Sequence, residues 1–189
     1  EAEGQEFGKG AMAIMIGASL FFAVGLFFLT PVLASRMLED SLGSDLASNV
    51  VEGVIRLVLF LAYLLLIGRM KEIERVFMYH GAEHMVVAAH DHGEPLTIKS
   101  ARHHPTAHPR CGTAFLLTVI VLSIVLFMFI PREPLTLVVS SRILLIPVIA
   151  AVSYEFIRFS GRHPANRLVS LLVTPSLMLQ KLTTRPPDD

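Results

Sequence analysis

The sequence predicts an all-α fold: a polytopic membrane helical bundle with about four transmembrane helices, a cytoplasmic histidine-rich loop and a C-terminal interfacial or re-entrant helix. Three observations predict it. Hydrophobic residues make up 53% of the 189 positions and charged residues only 17%, against roughly 25% charged in ordinary soluble domains. Mean hydropathy is +0.60. The apolar residues are gathered into runs long enough to cross a bilayer rather than spread with the periodicity of soluble helices. The chain reads as one integral membrane domain over residues 1–189.

The first run, Ala11 to Leu33, is free of charge over 23 residues; at ~1.5 Å per residue this is roughly 35 Å, enough for the ~30 Å hydrocarbon layer. A cleavable signal peptide is not expected, because this run is too long and only Lys9 precedes it. Residues 36–49 carry Glu39, Asp40 and Asp45 among serines and Gly43 and read as a short acidic loop. The second span, about 50–67, contains Glu52 and Arg56, four apart and able to pair along one helix face. Its helical spacing persists through Arg69, Lys71, Glu72, Glu74 and Arg75. The helix is therefore expected to continue out of the bilayer and deliver His80 and His84 just above its surface.

Asp91-His92-Gly93-Glu94-Pro95 is a turn signal that ends this helix. Residues 96–107 are too short and polar to assign. The third span is expected at 113–130 and the fourth at 135–159, after the tight turn Pro131-Arg132-Glu133-Pro134. The fourth carries Arg142, Glu155 and Arg158, and Pro147 predicts a kink. Residues 168–182 are apolar but broken by Pro175, hence the expectation of an interfacial or re-entrant helix.

Charge asymmetry predicts the orientation. Arg69, Lys71, Arg75, Lys99, Arg102 and Arg110 lie between spans two and three, and Arg162, Arg167, Lys181 and Arg185 follow span four. The other side has little beyond Arg36 and Arg132. Both termini and the histidine-rich loop, 76–112, are expected to face the cytoplasm. Zero net charge gives no reason to expect a nucleic-acid partner. A single cysteine, Cys111, excludes an intrachain disulfide.

Candidate chemistry lies in the loop. His80-Gly81-Ala82-Glu83-His84 matches H-x-x-E-H, a pattern in which two histidines one helical turn apart hold zinc and the glutamate serves as general base. Zinc requires a further protein ligand, and His108, Cys111 and Glu155 lie on the correct side. Three ligands with an open position make a catalytic site, whereas four make a structural one. Nitrogen and oxygen donors with one thiol nearby suit zinc, or another divalent transition metal. Arg110 and Arg158 are candidates for holding an anionic substrate group, and Tyr79 for donating a hydrogen bond to it. The leading expectation is a metal-dependent hydrolase acting near the lipid headgroups on a peptide, amide or ester. The rivals are a membrane scaffold or assembly factor with a structural metal, and a transporter with Glu52, Arg56 and Arg142 lining a path.

The segments Val76-Phe77-Met78-Tyr79-His80-Gly81-Ala82-Glu83-His84, His108-Pro109-Arg110-Cys111-Gly112-Thr113, Ser153-Tyr154-Glu155-Phe156-Ile157-Arg158 and Leu182-Thr183-Thr184-Arg185, followed by Pro187-Asp188-Asp189, together resemble the YqhQ family. This is a bacterial membrane-protein family classed as a domain of unknown function and sometimes labelled a predicted metal-dependent enzyme. The resemblance covers nearly the whole chain. It implies location in a bacterial cytoplasmic membrane and an additional glycine-rich N-terminal region outside this sequence.

Overall fold

A computed structural model describes residues 8–163 and 165–188. Among them there is no strand; six principal helices and two short helical turns account for the ordered backbone. Helix α1 spans Lys9–Met37, α2 Asp45–Ile67, α3 Lys71–Asp91, α4 Gly112–Phe127, α5 Leu135–Arg162 and α6 Arg167–Thr183. The helical turns are Glu39–Leu42 and Ile98–Ala101.

Three helices, α1, α2 and α5, are long and apolar enough to cross a membrane. The expected span 113–130 is also an apolar helix, but it ends at Phe127 after 16 residues, ~24 Å at 1.5 Å each. Part of the cause is local: Ile130 precedes Pro131, which disfavours helical backbone at Ile130. The Asn49 side-chain amide then donates to the Ile130 carbonyl at 2.8 Å and holds the turn.

Two other boundaries differ from expectation. The loop after α1 is shorter than expected, because Ser44 caps α2 by accepting from the Ala47 N–H at 3.2 Å and starts it at Asp45. The second span also does not run on into the histidine segment. It stops at Ile67, Gly68 follows, and Met70 is extended (ψ 132°) before α3 begins afresh. Gly68 is wedged between the Phe77 ring and α6: a Cβ there would lie 3.1 Å from Phe77 Cε2 and 3.9 Å from the Leu182 carbonyl. Helix α3 thus folds against the end of the bundle. It ends at Asp91, as the turn signal predicts, with Gly93 at φ +69°.

The core joins α2, α4 and α6 through Phe60, Leu64, Leu117 and Leu179, with Phe27 of α1 edge-on to Phe60 and Tyr63. Gly53 lets α4 approach closely, since a Cβ there would meet Ile124 Cγ1 at 2.5 Å. Helix α1 contains a π-helical turn, Gly25–Leu29, whose Phe27 carbonyl accepts from Arg56 Nε at 3.0 Å. Helix α5 runs through Pro147 and α6 through Pro175 without interruption.

Glu52 and Arg56 pair at 2.9 Å as their spacing predicts, but they belong to a larger network. The Glu52 carboxylate also accepts from Arg142 Nη2 at 2.8 Å and from Arg132 Nη1 at 3.0 Å. Arg132 reaches Glu39, Asn49 and Ser35 through its remaining donors, and its backbone N–H donates to Asp45. This network fastens α1, α2, α5 and the 131–134 turn at one end of the bundle.

Candidate metal centre

At the opposite end, α3 lies across the C-terminal ends of α2 and α6 and the N-terminus of α4. One turn of α3 presents His80 and His84, whose rings meet edge to face with centroids 4.3 Å apart. Each ring is fixed through Nδ1. His80 Nδ1 lies 2.9 Å from the Thr183 carbonyl and His84 Nδ1 2.7 Å from the Thr106 carbonyl. Carbonyls only accept, so both Nδ1 atoms carry a proton, and in the neutral rings both Nε2 atoms keep a lone pair.

Those lone pairs face Cys111, the buried N-cap residue of α4. Its sulfur lies 3.1 Å from His80 Nε2, and donor atoms of His80, His84 and Cys111 all fall within 4.8 Å of one another. Burial pushes the Cys111 thiol up, but hydrogen bonds involving His84, Thr113 and His80 outweigh it and bring the group down to about 6. Burial likewise pushes His84 down, yet its hydrogen bonds to Cys111 and the Thr106 carbonyl, with the charges of Cys111 and Glu83, raise it above the ordinary imidazole value.

Glu83 lines the same cavity, about 350 Å³ in volume, together with Val87, His108 and Arg110. His108 stands at its rim outside the three-donor group. Its Nε2 faces Asp91 Oδ2 at 3.3 Å and its Nδ1 accepts from the Arg110 N–H. Burial lowers the His108 pKa, against the pull of Asp91, and the Arg110 charge adds to the lowering. Arg110 is paired with Asp91, and the stem of Arg110 lies on Gly161 of α5, where a Cβ would come within 2.8 Å of it.

The remaining sequence candidates lie elsewhere. Glu155 and Arg158 form an exposed pair at 3.3 Å on α5, and the Tyr79 side chain points outward, 69% exposed. Of the ligands weighed from the sequence, the fold brings Cys111 to the two histidines, places the His108 ring 5.9 Å from that of His84 on the wall of the same cavity, and leaves Glu155 outside that cavity.

Four contributors were not foreseen. Gln180, fully buried on α6, accepts from the His108 N–H at 2.7 Å and donates to the His108 carbonyl at 2.8 Å, clamping the segment that leads to Cys111. A lone glutamine in an apolar run is a signal that marks it. Asp91, Thr106 and Thr183 are the others, and the two threonines act through backbone carbonyls, which no side-chain pattern reveals. Gly81 has its own role: the C-terminal segment crosses α3 there, with the Arg185 N–H donating to the Phe77 carbonyl at 2.9 Å. A Cβ on Gly81 would fall 2.1 Å from the Arg185 carbonyl oxygen.

A family model described as "Protein of unknown function (DUF1385)" matches residues 1–189. The chain is 31% identical over 179 residues to "Uncharacterized protein YqhQ" of Bacillus subtilis (strain 168), an alignment covering 95% of this chain and 56% of that protein. The chain thus spans little more than half the length of the curated relative. No solved structure matches.

Proposed function

From the premise that this chain belongs to the DUF1385 family, whose members include YqhQ, we propose that it is a metal-dependent membrane hydrolase with His80, His84 and Cys111 as ligands. The observation that carries this reading is the orientation of the two imidazoles. Histidines that bind metal through Nε2 characteristically donate Nδ1–H to a fixed acceptor, which sets the tautomer and aims the lone pair; here both do so, toward one sulfur. Zinc fits the donor set of two nitrogens and a thiolate. Ligands around a tetrahedral zinc lie roughly 3.5 Å from one another, and donor atoms within 4.8 Å of each other need little movement to reach that spacing.

Three protein donors beside a cavity leave room for a reactant, which favours catalysis over a closed structural site. When bound, zinc supplies Lewis acidity and makes water a better acid. Glu83, beside the ligands and lining the cavity, accepts the proton from the attacking water and returns it to the leaving group. The Asp91 and Gln180 contacts hold the 108–111 segment in place, and the 350 Å³ cavity admits a peptide, amide or ester group from the headgroup region. The excess of arginines and lysines on this face supports a cytoplasmic orientation for it.

The scaffold reading is favoured by the same clamp, since a metal tying α3 to α4 would also stabilise the bundle end; it requires a fourth protein ligand. Elemental analysis of protein purified without chelator decides the first step. About one zinc per chain is expected for the wild type, with loss in His80→Ala and Cys111→Ser. Glu83→Gln should keep the metal and lose roughly 10²–10⁴-fold of hydrolysis measured with fluorogenic ester and peptide substrates. Metal-free wild-type protein would overturn the reading, and unchanged hydrolysis by Glu83→Gln would remove the base.

A further inference from the structure

His80, His84 and Cys111 come from two different elements, yet the groups that seat them converge on one short segment, residues 180–185 at the end of α6. The His80 ring donates Nδ1–H to the Thr183 carbonyl at 2.9 Å. The His84 ring donates to the Thr106 carbonyl, and the Thr106 hydroxyl meets that of Thr184 at 3.3 Å. Cys111 follows the His108 segment, whose N–H and carbonyl are both held by the Gln180 amide. Within the segment, the N–H and the hydroxyl of Thr184 each donate to the Gln180 carbonyl at 2.8 Å. The three supports are therefore one unit.

The end of that unit is lightly held. Helix α6 stops at Thr183, and Thr184 is already extended, at φ −129° and ψ 146°. The chain then crosses α3 over Gly81, inside the turn that carries both histidines. It is tied there by the Arg185 N–H, which donates to the Phe77 carbonyl at 2.9 Å. Pro186 and Pro187 have no N–H with which to add a further backbone bond. Pro187 and Asp188 border a cavity of about 360 Å³ beside Met85, Leu96 and Ile98, so the segment ends against open space rather than packed core. A stretch with so few backbone ties opens at far lower cost than the whole fold.

We propose that residues 183–188 form a latch on the metal centre, which holds the ligands in register when seated on α3 and releases the metal when lifted. The inference rests on the metal-binding part of the function proposed above and adds a means of control to it. An acceptor fixed on Nδ1 keeps a ligand imidazole in one tautomer and one orientation, and its loss costs roughly 10–100-fold in affinity. Lifting the latch takes the Thr183 carbonyl from His80 and leaves Thr106, the support of His84, without Thr184. Two ligands lose their hold in one movement. The coupling is reciprocal: the factor by which a seated latch tightens the metal is the factor by which the metal holds the latch down. Whatever draws the C-terminal segment off α3 thus empties the site without touching a ligand.

Hydrogen exchange read by mass spectrometry tests this on the full chain in nanodiscs, with zinc loaded or stripped by a chelator and counted in each sample. The amides of Thr184 and Arg185 should exchange about tenfold more slowly with zinc, while those around Arg132, at the other end of the bundle, stay unchanged. Thr184→Val removes the hydroxyl and keeps the shape of the side chain. It should weaken zinc about tenfold in chelator competition and shrink the zinc-dependent protection of Arg185, and Thr184→Ser should restore both. Protein that takes up no zinc would refute the metal reading and the latch together. One zinc per chain with exchange at Thr184 and Arg185 indifferent to it, or wild-type zinc affinity in Thr184→Val, would overturn the latch alone.

Discussion

Gly81, without a side chain, is among the least replaceable residues at the histidine–cysteine centre. It occupies the middle of His80-Gly81-Ala82-Glu83-His84 because the C-terminal segment passes over α3 at that point, so close that no side chain fits. The same crossing brings the Thr183 carbonyl to His80 Nδ1. Gly81→Ala must push the segment away, at about 1–3 kcal/mol of overpacking, and loosen the acceptor that orients His80. Loss of such an acceptor typically costs 10–100-fold in metal affinity. Competition titration with a zinc chelator should show a loss of at least tenfold for Gly81→Ala; wild-type affinity would mean that Thr183 does not orient the ligand. The placing of His80 and His84 on one face of a helix with Glu83 beside them was legible from the sequence, because four-residue spacing on a helix is a local property. The juxtaposition of Cys111 with the two imidazoles was not, since it depends on how Gln180 and Asp91 seat the 106–112 segment.

At the scale of the elements, α2 and α5 are joined chiefly by charge rather than by apolar packing. Glu52 is the hub, and the spacing of Glu52 and Arg56 disclosed only one of its three arginine partners. Arg142 lies 90 residues and Arg132 80 residues away from it, and no periodicity links positions so distant. Replacing the hub strands several buried cations, so Glu52→Ala should cost about 3–5 kcal/mol of stability, read from chemical unfolding in micelles. Glu155→Ala, which removes a pair exposed on both sides, should change stability by at most ~0.5 kcal/mol. Comparable losses for the two would show that the buried network is not a principal tie. The break at Gly68 was equally hidden: helical spacing runs on through residues 69–75 beyond it, and the turn is imposed by Phe77 and α6.

For the whole molecule, the all-helical membrane architecture was legible because span length and apolarity are set by the bilayer itself. The length of α4 was not, because it depends on Asn49 capturing the Ile130 carbonyl across the bundle. That short helix has a consequence for the surroundings. At ~24 Å it is some 6 Å less than the ~30 Å of hydrocarbon, and a mismatch of this size is met by thinning of the adjacent lipid at fractions of a kcal/mol per Å. Zinc affinity should therefore weaken as nanodisc lipids are lengthened from 14- to 22-carbon chains; affinity independent of chain length would rule the coupling out. Such thinning would bring headgroups toward Cys111 at the start of α4, so that a lipid-borne ester or a juxtamembrane peptide bond, the substrates proposed for the hydrolase, would reach the cavity without leaving the membrane.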